Sequence, residues 1–503
     1  MLTMPNTCTA LLSTSQMAEA DRLTIAYGIS EITLMENAGR AVTEAIMQRW
    51  TPCPVIVLCG PGSNGGDGFV VARRLAAADW PVRIALLGPL DQLRGAAAHH
   101  AALWHDPIES MTPDSLDGAE LVVDAIFGAG LSRRVEGIAA ATLSAAALRK
   151  LPIVAVDIPS GVMGDTGDNL GAVAAVLTIT NFRKKPGHLL QPGRALCGEL
   201  IVADIGTPAF VLDQIKSGAF ENDPIIWAEL LPQVQDNTNK YKRGHALLVG
   251  GYPSTGAARM AAHAAARSGA GLTTIAVPEI ALPIYAATLT SIMVSPLAAV
   301  ADLEKLLADK RFSALLIGPG AGIGPTTRAY VMAMLKTGRP TVLDADALSI
   351  FREDPAELFS AICGPCVLTP HEGEFARLFD VGSNKLTRAR AAAQTSGAII
   401  VLKGSDTVVV APDGRAIINA NAPPTLATAG AGDVLSGIIL GLLAQGMEPF
   451  MAAAAGVWIH GAAATAFGQK LMAEDLPDLF PAVFTQLQSS PSLGMHHVCD
   501  DIR

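Results

Sequence analysis

Residues 426–446 read LATAGAGDVLSGIILGLLAQG, a run of small residues that leads through a single acid into an apolar segment. The pattern predicts a glycine-rich turn that opens a helix, with unpaired backbone N–H groups at the positive end of the helix dipole. Such a turn suits a phosphate, and Gly430 and Gly432 allow a ligand to approach the backbone closely. Asp433 suits a general base that takes the proton of an attacking hydroxyl. The alternative is a first-turn acid that only the dipole favours.

The composition indicates a well-buried globular chain. Its 503 residues are 50% hydrophobic and only 16% charged, which fits roughly two or three domains. The net charge of −10 argues against nucleic acid as a main partner. Seven scattered cysteines without a secretory signal indicate reduced thiols, so we expect a cytoplasmic protein.

Two further sequence patterns are better explained by structure than by a redox or membrane function. The Cys-x-x-Cys pair at Cys363 and Cys366 is followed by a strand-like segment instead of opening a helix, which does not favour a redox pair. The apolar region 434–469 approaches the length of a membrane span, but its Ala, Gly and Thr content favours a pair of buried helices. We therefore expect no membrane contact.

Short apolar strands alternate with helical segments in both halves of the chain. This alternation predicts α/β layers with mostly parallel sheets. The predicted strands are 55–58, 83–87, 121–126, 153–156, 176–180 and 200–203, then 246–249, 273–277, 314–317, 341–344, 366–369, 398–402 and 407–411. A polar, less periodic segment near 222–235 marks a boundary, so we predict domains at 1–222 and 229–503.

A glycine-rich loop at 60–68 follows the first strand and precedes a helix. Gly60, Gly62 and Gly65 match the dinucleotide fingerprint G-x-G-x-x-G. The acid expected about 20 residues later is missing, because the next strand ends in Leu-Gly-Pro. The loop therefore predicts a phosphate-bearing ligand but not an ordinary NAD-dehydrogenase site.

Two acids follow other strands of the first half. The carboxyl ends of parallel strands share one edge of the sheet, so Asp124 and Asp157 are expected to face one crevice. Asn64, Asp124 and Ser160 offer hard oxygen ligands for an alkali or alkaline-earth ion. The other acid is then free for acid–base chemistry. The alternative for each acid is a cap or turn residue.

The second half carries five groups at predicted strand ends: 318–322, 344–346, 369–374, 403–407 and 430–433. Glu374 is placed to order water around Mg²⁺, the usual companion of nucleotide phosphates. Lys403 is a candidate nucleotide contact, with a solvated surface lysine as the alternative. His371 is a candidate contact, with a loop histidine as the alternative.

Longer sequence words in both halves resemble known enzyme families. The second half resembles the ADP/ATP-dependent NAD(P)H-hydrate dehydratases of the ribokinase-like fold, through GAGL (269–272), VLDADAL (342–348), TPHEGEF (369–375), KGSDTV (403–408) and AGAGDVLSG (429–437). The first half resembles the NAD(P)H-hydrate epimerase domain, through LMENAG (34–39), NGGDGFVVARRL (64–75), DAIFGAGLSR (124–133), VDIPSGVMGDTG (156–167), KPGH (185–188) and VADIG (202–206). The order of the halves is that of the fused bacterial enzyme.

The resemblance implies repair of hydrated nicotinamide cofactors. The epimerase interconverts the R and S hydrates, NADHX and NADPHX. The dehydratase phosphorylates the S hydrate with ADP and expels phosphate, returning NAD(P)H and AMP. The implied fold is a Rossmann-like first domain and a ribokinase-like α/β/α second domain. The implied cofactors are K⁺ in the epimerase and Mg²⁺ in the dehydratase, and we expect a homo-oligomer.

The family's functional positions map onto this sequence residue by residue. The epimerase hydrate site would comprise Ser63, Asn64, Gly65, Gly66, Asp67, Gly128, Ala129, Gly130, Leu131, Ser132, Arg133, Arg134 and Asp157, and its K⁺ site Asn64, Asp124 and Ser160. The dehydratase hydrate site would comprise Ala257, Gly320, His371 and Asp433, and its nucleotide site Lys403, Gly404, Ser405, Asp406, Thr407 and Gly432. Asp157 and Asp433 would be the catalytic residues.

The sequence departs from the family pattern in two places. Ser63 replaces a usual Asn, and residues 421–429 are poorer in glycine than the usual approach to the phosphate turn. Two rival functions stay open at this point. One is a ribokinase-like small-molecule kinase that releases a stable phosphate ester, and the other is a first half that only binds a ligand. His371, where kinases carry Asn, favours the dehydratase.

Overall fold

The computed structural model describes residues 8–236 and 238–489. The parts of the two predicted domains at 1–7, 237 and 490–503 lie outside the described residues. The described chain divides into two compact units, one ending at Phe220 and one beginning at Glu221. Each unit is built from helices and a mostly parallel sheet, so the predicted fold class is confirmed.

The first unit contains a seven-stranded parallel sheet. The sheet contains β2 (Val55–Cys59), β3 (Val82–Leu86), β4 (Ile108–Ser110), β5 (Leu121–Ala125), β6 (Ile153–Val156), β7 (Leu177–Asn181) and β8 (Glu199–Ala203), and two short strands outside it are β1 (Ala10–Leu11) and β9 (Ala219–Glu221). Its helices are α1 (Thr14–Ala26), α2 (Glu31–Arg49), α3 (Ser63–Ala77), α4 (Gly95–Ala102), α5 (Gly137–Leu148), α6 (Gly193–Cys197) and α7 (Ala209–Ile215). The sheet order is β4-β3-β2-β5-β6-β7-β8, and β1 pairs with β9 in antiparallel fashion.

The strand order fixes where a ligand can bind in this unit. The chain leaves β2 toward β3 on one side and returns to β5 on the other, so the connections diverge at the carboxyl ends of β2 and β5. Such a switch point leaves a crevice between loops. All five residues of β2 are buried, because helices cover both faces of a parallel sheet.

The second unit is also built from helices around a mostly parallel sheet, and this sheet has more strands. Its strands are β10 (His245–Val249), β11 (Leu272–Pro278), β12 (Met293–Leu297), β13 (Phe312–Ile317), β14 (Thr341–Leu343), β15 (Cys366–Leu368), β16 (Ile399–Leu402), β17 (Val408–Val410) and β18 (Ala416–Ile418). Its helices are α8 (Thr255–Arg267), α9 (Leu282–Thr288), α10 (Val300–Leu307), α11 (Pro325–Leu335), α12 (Asp346–Ser349), α13 (Pro355–Ala361), α14 (Glu372–Leu378), α15 (Lys385–Ser396), α16 (Ala431–Ala444), α17 (Pro449–Phe467) and α18 (Leu476–Ser489). The order is β18-β17-β16-β15-β14-β13-β10-β11-β12.

The switch point of the second unit lies between β10 and β13. The strands from β10 to β16 are parallel, and β17 and β18 continue the sheet in antiparallel fashion. The loops that follow β10 and β13 therefore diverge around a second crevice.

Helix α16 is the central helix of the second unit. It is apolar on every side and buried from Val434 to Ala444, as expected for a helix in the interior. It approaches α8 closely at two glycines. A Cβ on Gly437 would overlap the Ala261 carbonyl oxygen, and one on Gly441 would lie 2.5 Å from the Ala265 carbonyl oxygen. The small residues of α8 therefore allow α16 to pack closely against it. This packing determines the position of Asp433, which lies in the first turn of α16.

Substitution of Gly437 by Ala tests this packing. We expect it to destabilise the second unit by about 1–3 kcal/mol, because the added methyl must push two packed helices apart. Thermal melting followed by circular dichroism measures the effect, with a lower transition as the expected outcome. Gly324→Ala is the control, since a Cβ there meets nothing within 4 Å. Equal melting of the two variants would contradict the account.

The predicted strands are present, with ends shifted by one or two residues. The sequence missed β4, β12 and β18 among others. β4 and β12 lie at sheet edges and are half-exposed, so they lack the continuous apolar run of a central strand. Strand β18 has three buried residues, as β14, β15 and β17 also have, so its length does not explain why it was missed.

One helix in the described residues, α17, is long and apolar enough to cross a membrane by length and composition. However, 72% of its apolar window is buried inside the protein. A core helix of a globular unit passes the same test, so α17 gives no support to a membrane span. It forms, with α16, the predicted helix pair.

The six cysteines of the described residues are free thiols. Cys366 lies buried in β15, and burial raises the pKa of its thiol to about 12. A thiol held in this state is a poor nucleophile. The Cys-x-x-Cys pair therefore lacks the microenvironment of a reactive dithiol.

Candidate active sites

The two switch-point loops of the first unit touch through glycines. A Cβ on Gly60 would overlap the Ile126 carbonyl oxygen, and one on Gly65 would overlap the Gly60 carbonyl oxygen. Helix α3 begins at the exposed residue Ser63, and its residues from Gly65 to Ala72 are buried. The N–H groups in the first turn of α3 have no intrahelical acceptor. This helix start is therefore open to an anion.

Asp157 lies directly after β6, in the left-handed region with a φ of 67°. Its Oδ2 accepts the Ala129 N–H at 2.9 Å, and its Oδ1 accepts the Thr180 hydroxyl at 3.0 Å and Lys185 Nζ at 2.6 Å. His188 Nδ1 accepts the Lys185 N–H, so its Nε2 is the donor to the Asp157 carbonyl oxygen at 2.9 Å. The carboxylate is thus fixed on every side.

The surroundings of Asp157 set its charge. Burial alone would raise the pKa of its carboxyl, but the Lys185 ammonium outweighs burial and holds that pKa well below its usual range. Burial lowers the pKa of His188 to about 4, so this imidazole is neutral at pH 7. Asp157 is therefore an ionised group beside a buried, charged lysine.

Asp124 holds the same loop from the neighbouring strand. Its carboxylate accepts the Ser160 N–H at 2.8 Å, the Ser160 hydroxyl at 2.6 Å and the Ile126 N–H at 3.3 Å. Burial raises its pKa, although the Ser160 hydrogen bonds act in the opposite direction. Within residues 8–236 and 238–489, no basic side chain forms an ion pair with this carboxylate. A bound cation would supply the missing positive charge.

Asn64 faces the same point from α3. Its Oδ1 and the Asp157 Oδ2 would lie 3.4 Å and 3.1 Å from a Cβ built on Gly128, so these side chains converge where Gly128 has none. The Asn64 Nδ2 is buried and has no hydrogen-bond partner in the protein. That donor is available to a ligand.

Two predicted contact residues of α3 turn inward. A Cβ on Gly66 would overlap the Met35 sulfur, so this glycine serves the packing of α2 against α3. Asp67 is buried, and burial together with the nearby carboxylates of Asp157 and Asp21 raises its pKa well above the usual value. Asp67 thus lies near Asp157 in the interior, whereas Gly66 gives a ligand only its backbone.

The loop after β5 also contains both buried residues and exposed residues. Ala129 is buried beside Asp157, and Leu131 packs against the apolar core. Gly130 and the three residues after Leu131, which are Ser132, Arg133 and Arg134, are exposed. Two exposed arginines at the mouth of the crevice suit the phosphates of a dinucleotide.

The phosphate turn of the second unit has the predicted form. Gly430 caps α16 with a φ of 89°, and Asp433 lies in the first turn of that helix. The N–H groups of Gly432 and Asp433 have no intrahelical acceptor, because they precede the first complete turn. The predicted glycine turn and helix start are present, and a helix N-terminus of this kind suits an anion.

Asp433 stands among other acids. Burial raises the pKa of its carboxyl to about 7, and the carboxylates of Asp344, Asp346 and Glu374 add to this effect while Lys403 opposes it. Asp433 therefore exchanges its proton near neutral pH, the property of a general base. A first-turn acid favoured only by the dipole would have a lowered pKa instead.

Lys403 lies directly beneath the phosphate turn. Its Nζ donates to Asp344 Oδ1 at 2.9 Å and lies 3.9 Å from Glu374 Oε2. A Cβ on Gly432 would be 3.2 Å from this Nζ. The side chain of Lys403 is only 18% exposed, so the alternative of a solvated surface lysine is wrong. Ser436 donates to the other oxygen of Asp344 at 2.5 Å.

His371 caps the helix that carries Glu374. Its Nδ1 accepts the N–H groups of Gly373 at 2.9 Å and Glu374 at 3.3 Å, and Glu374 Oε2 accepts the His371 N–H at 2.9 Å. This reciprocal cap fixes the tautomer of His371 with the proton on Nε2. The ring itself is 55% exposed and free to contact a ligand.

Ala257 and Gly320, which are predicted to contact the hydrate, meet at the second switch point. A Cβ on Gly251, which follows β10, would overlap the Gly320 carbonyl oxygen. Gly320 has a φ of 65°, and its own Cβ would lie 3.5 Å from the Cβ of Ala257. The loops after β10 and β13 therefore meet at the first turn of α8, where only small residues fit.

The predicted nucleotide segment 403–407 is a closed turn. The Thr407 hydroxyl donates to the Gly404 carbonyl oxygen at 2.8 Å and accepts the Gly404 N–H at 3.2 Å. Ser405 is exposed, whereas Asp406 is buried and its Oδ1 accepts Lys385 Nζ at 2.6 Å. The backbone of the turn and the side chain of Ser405 can therefore contact a ligand, whereas the side chain of Asp406 pairs with Lys385.

The glycine-poor approach to the phosphate turn is anchored on α17. The Asn421 side chain accepts Asn419 Nδ2 at 2.9 Å and donates to the Trp458 carbonyl oxygen at 2.8 Å. A Cβ on Gly461 would overlap Asn421, so α17 makes room for this amide. Side-chain hydrogen bonds therefore fix residues 419–421, just before the segment that lacks the usual glycines.

Sequence reasoning missed several residues that set these sites. In the first unit they are Thr180, Lys185 and His188, although the KPGH word that contains two of them was visible. In the second unit they are Ser436, which lies within the quoted word AGAGDVLSG, and Lys385, which lies in none of the quoted words. Among the described residues no three His, Cys, Asp or Glu side chains are arranged to hold a metal ion by themselves.

Comparison with known proteins gives matches over both units. Residues 31–187 match the family described as "YjeF-related protein N-terminus", and residues 246–483 match the family described as "NAD(P)H-hydrate dehydratase". A bifunctional NAD(P)H-hydrate repair enzyme of Salinibacter ruber is 39% identical, with 95% of this chain and 96% of the relative covered. Its counterpart in Moorella thermoacetica is 37% identical, with 95% and 97% covered.

The second unit is also similar to a solved structure. An ADP/ATP-dependent NAD(P)H-hydrate dehydratase from Bacillus subtilis, co-crystallised with ATP and Mg²⁺, is 32% identical with a TM-score of 0.46. The match covers 51% of this chain and 94% of that chain.

Proposed function

The chain belongs to the family of bifunctional NAD(P)H-hydrate repair enzymes, and on that premise we propose which residues carry its two reactions. It is an NAD(P)H-hydrate epimerase and dehydratase. The observation that supports the assignment best is the contrast between two buried acids. Asp433 exchanges its proton near pH 7 in a phosphate turn, and Asp157 is held ionised beside Lys185.

In the dehydratase unit Asp433 is the general base. It takes the proton of the hydroxyl on the S hydrate, and the hydroxyl oxygen attacks the terminal phosphorus of ADP as AMP leaves. The ring nitrogen then pushes out the phosphate, and loss of a proton from the adjacent carbon restores the ring double bond. The N–H groups of Gly432 and Asp433 bind the transferred phosphoryl group, and Lys403 supplies the positive charge beneath it.

The chemistry around Asp433 fits a nucleotide accompanied by Mg²⁺. Among the described residues, the carboxylates of Asp344, Asp346 and Glu374 raise the pKa of Asp433 and the ammonium of Lys403 lowers it, so negative charge outweighs positive charge around Asp433. Mg²⁺ keeps most of its waters and binds through one or two carboxylates together with phosphates. Glu374 is the residue that would orient those waters, and the bound ion would neutralise charge on the phosphates. The 403–407 turn and Gly432 would bind ADP as the donor.

The pH dependence of dehydration follows from the raised pKa of Asp433. Only the deprotonated carboxylate can accept a proton, and the protonated fraction grows as the pH falls below about 7. We therefore expect kcat/KM for the S hydrate to fall about tenfold per pH unit below that value and to level off above it. Initial rates of NAD(P)H formation between pH 5 and 8.5 measure the profile. A flat profile down to pH 5 would contradict the assignment.

In the epimerase unit Asp157 is the catalytic group. The hydroxyl leaves as water with a proton taken from solvent, and the ring nitrogen becomes cationic. Water then adds to the same carbon from the opposite face, and the proton that it loses passes through Asp157 back to solvent. The ionised Asp157 stabilises this cation and receives a proton from the incoming water. Its ion pair with Lys185 makes it a weak base, so charge stabilisation is its larger contribution. Asn64 Nδ2 and the first turn of α3 would hold the substrate.

A monovalent cation fits the buried Asp124 carboxylate. The Asp124 oxygens, the Ser160 hydroxyl and the Phe127 carbonyl oxygen lie together, with the Ser160 hydroxyl 3.2 Å from Phe127 O. Asn64 Oδ1 approaches the same loop at Gly128. These oxygen ligands, without a basic side chain, suit K⁺. The ion would balance the Asp124 charge and hold the loop that presents the Ala129 N–H to Asp157.

Removal of K⁺ tests this part of the proposal. We expect epimerisation to slow about 10–100-fold when K⁺ is replaced by tetramethylammonium, because the loop that orients Asp157 loses its support. Dehydration of pure S hydrate serves as the internal control and should change little. Epimerisation rates from chromatographic separation of the two hydrates measure the effect. Equal rates in the two salts would remove K⁺ from the epimerase.

The remaining assignments rest on the family resemblance. The substrates would be NADHX and NADPHX, and the cytoplasm is consistent with free thiols throughout the described chain. Homo-oligomerisation stays a prediction, and sedimentation velocity would measure it.

One experiment tests both reactions together. A mixture of R and S hydrates is incubated with Mg²⁺, K⁺ and either ADP or ATP, and recovery of the reduced-nicotinamide absorbance is followed. Complete recovery supports both activities and identifies the phosphoryl donor. Recovery of the S fraction alone would leave the first unit as a binding module. No recovery with either nucleotide would return the second unit to the small-molecule kinases.

A further inference from the structure

One buried lysine lies behind the 403–407 turn. Lys385, the first residue of α15, has a side chain that is only 11% exposed. Its Nζ donates to Asp406 Oδ1 at 2.6 Å, and the Asp406 side chain is 9% exposed. Hydrogen bonds between two charged groups are short and strong, and a buried ion loses stabilisation when its partner is removed.

The ammonium of Lys385 lies against the turn itself. A Cβ on Gly404 would overlap Lys385 Nζ and lie 3.0 Å from Asp406 Oδ1. Any other residue at 404 would therefore displace the lysine. Since Thr407 also bonds both polar groups of the Gly404 backbone, three residues of the turn are fixed around this one contact.

The same lysine reaches the helix beside His371. Its Nζ lies 3.7 Å from Oε1 of Glu372, the first residue of α14. Arg388 Nη2 donates to the other oxygen of Glu372 at 2.6 Å and so keeps this carboxylate turned toward α15. Lys385 therefore lies between the segment that carries His371 and the turn assigned to the nucleotide.

We propose that Lys385 is a positioning residue for the phosphoryl donor, which holds the 403–407 turn in its binding shape through Asp406. The inference rests on the proposed function of that turn. Without Lys385 the buried Asp406 carboxylate would lose the ammonium that donates to it at 2.6 Å, and the turn would have to rearrange around the altered charge. The nucleotide would then have to order the turn as it binds, which weakens binding.

The test compares substrates in one variant. In Lys385→Met we expect the KM for ADP, or for ATP if that is the donor, to rise about tenfold or more, because ordering of the turn opposes binding. The KM for the S hydrate and kcat should stay within about twofold. Lys385→Arg keeps the charge and should recover part of the loss. Lys305→Met is the matched control, since Lys305 is 78% exposed in the same unit.

A double-mutant cycle with Asp406→Asn separates positioning from direct contact. If Lys385 acts through Asp406, the double variant should be no worse than the more affected single variant. Additive losses would show that Lys385 touches the nucleotide itself and would overturn the proposal. A nucleotide KM unchanged in folded Lys385→Met, or raised equally with the hydrate KM, would also overturn it. Should Lys385→Met not fold, Asp406→Asn alone must show the same selective rise.

The wild-type enzyme separates this inference from the function on which it rests. Dehydration of the S hydrate that needs no nucleotide would overturn the proposed function and the role of Lys385 together. Nucleotide-dependent dehydration with an unchanged KM in the folded variant would overturn the role of Lys385 alone.

Discussion

Asp433→Asn should reduce dehydration of the S hydrate by about 10²–10⁴-fold while the hydrate still binds, because the amide cannot accept the hydroxyl proton. The substitution should not lower the stability of the protein. Asp433 repels the carboxylates of Asp344 and Glu374, as its raised pKa of about 7 reflects, so a neutral side chain is at least as well accommodated. Stopped-flow rates of NAD(P)H formation give the loss, and equilibrium binding of the S hydrate gives the affinity.

Glu353→Gln is the matched control for this change. Its side chain is 82% exposed in the same unit and pairs only with neighbouring Arg352. Both variants should melt at or above the wild-type temperature, and the control should keep its activity. Turnover of Asp433→Asn within about tenfold of wild type would place the base elsewhere. The pH profile of the residual rate should also lose its fall below pH 7.

Asp157→Asn should lower epimerisation by about 10²–10⁴-fold and leave dehydration of pure S hydrate unchanged, because the amide cannot stabilise the ring cation as a carboxylate does. The two reactions can be scored in one preparation. A mixed hydrate sample should regenerate only its S fraction, and the R hydrate should persist in the chromatogram. Full regeneration of the mixture would remove Asp157 from catalysis.

Stability needs its own control in this case, because Lys185 loses its buried partner. Removing one member of a buried ion pair costs about 3–5 kcal/mol. The double variant Asp157→Asn/Lys185→Met removes both charges of this pair and should regain melting temperature without regaining epimerisation. Asp117→Asn is the surface control, since its side chain is 71% exposed and pairs with Arg149. A double variant that regains epimerisation would show that Asp157 served stability only.

The elements that the sequence predicted well are those with a local signature. Strand β2 was visible because a central parallel strand is a continuous apolar run, and its loop because only glycines allow the close approach of Gly60 to Ile126. The phosphate turn and the position of Asp433 in α16 were visible for the same reason. The edge strands β4 and β12 were not predicted, because their half-exposed residues do not form the continuous apolar run of a central strand.

The charges of the two acids that we propose as catalytic residues have no such signature. In the sequence Asp157 and Asp433 are both acids at the end of a loop, and nothing local distinguishes them. Lys185 is 28 residues from Asp157, and its ammonium lowers the pKa of that carboxyl. Asp344 is far from Asp433 in the chain, and together with burial it raises the pKa of that carboxyl.

The sequence by itself therefore determined the fold class, the places where loops can bind phosphate, and which acids are candidates for chemistry. Backbone conformation and helix starts depend on neighbouring residues, so short patterns suffice to predict them. Only the tertiary structure decided that Asp157 is ionised, that Asp433 exchanges a proton near pH 7, and that Lys385 supports the nucleotide turn. These properties depend on burial and on distances between charges, which arise only when remote segments pack together.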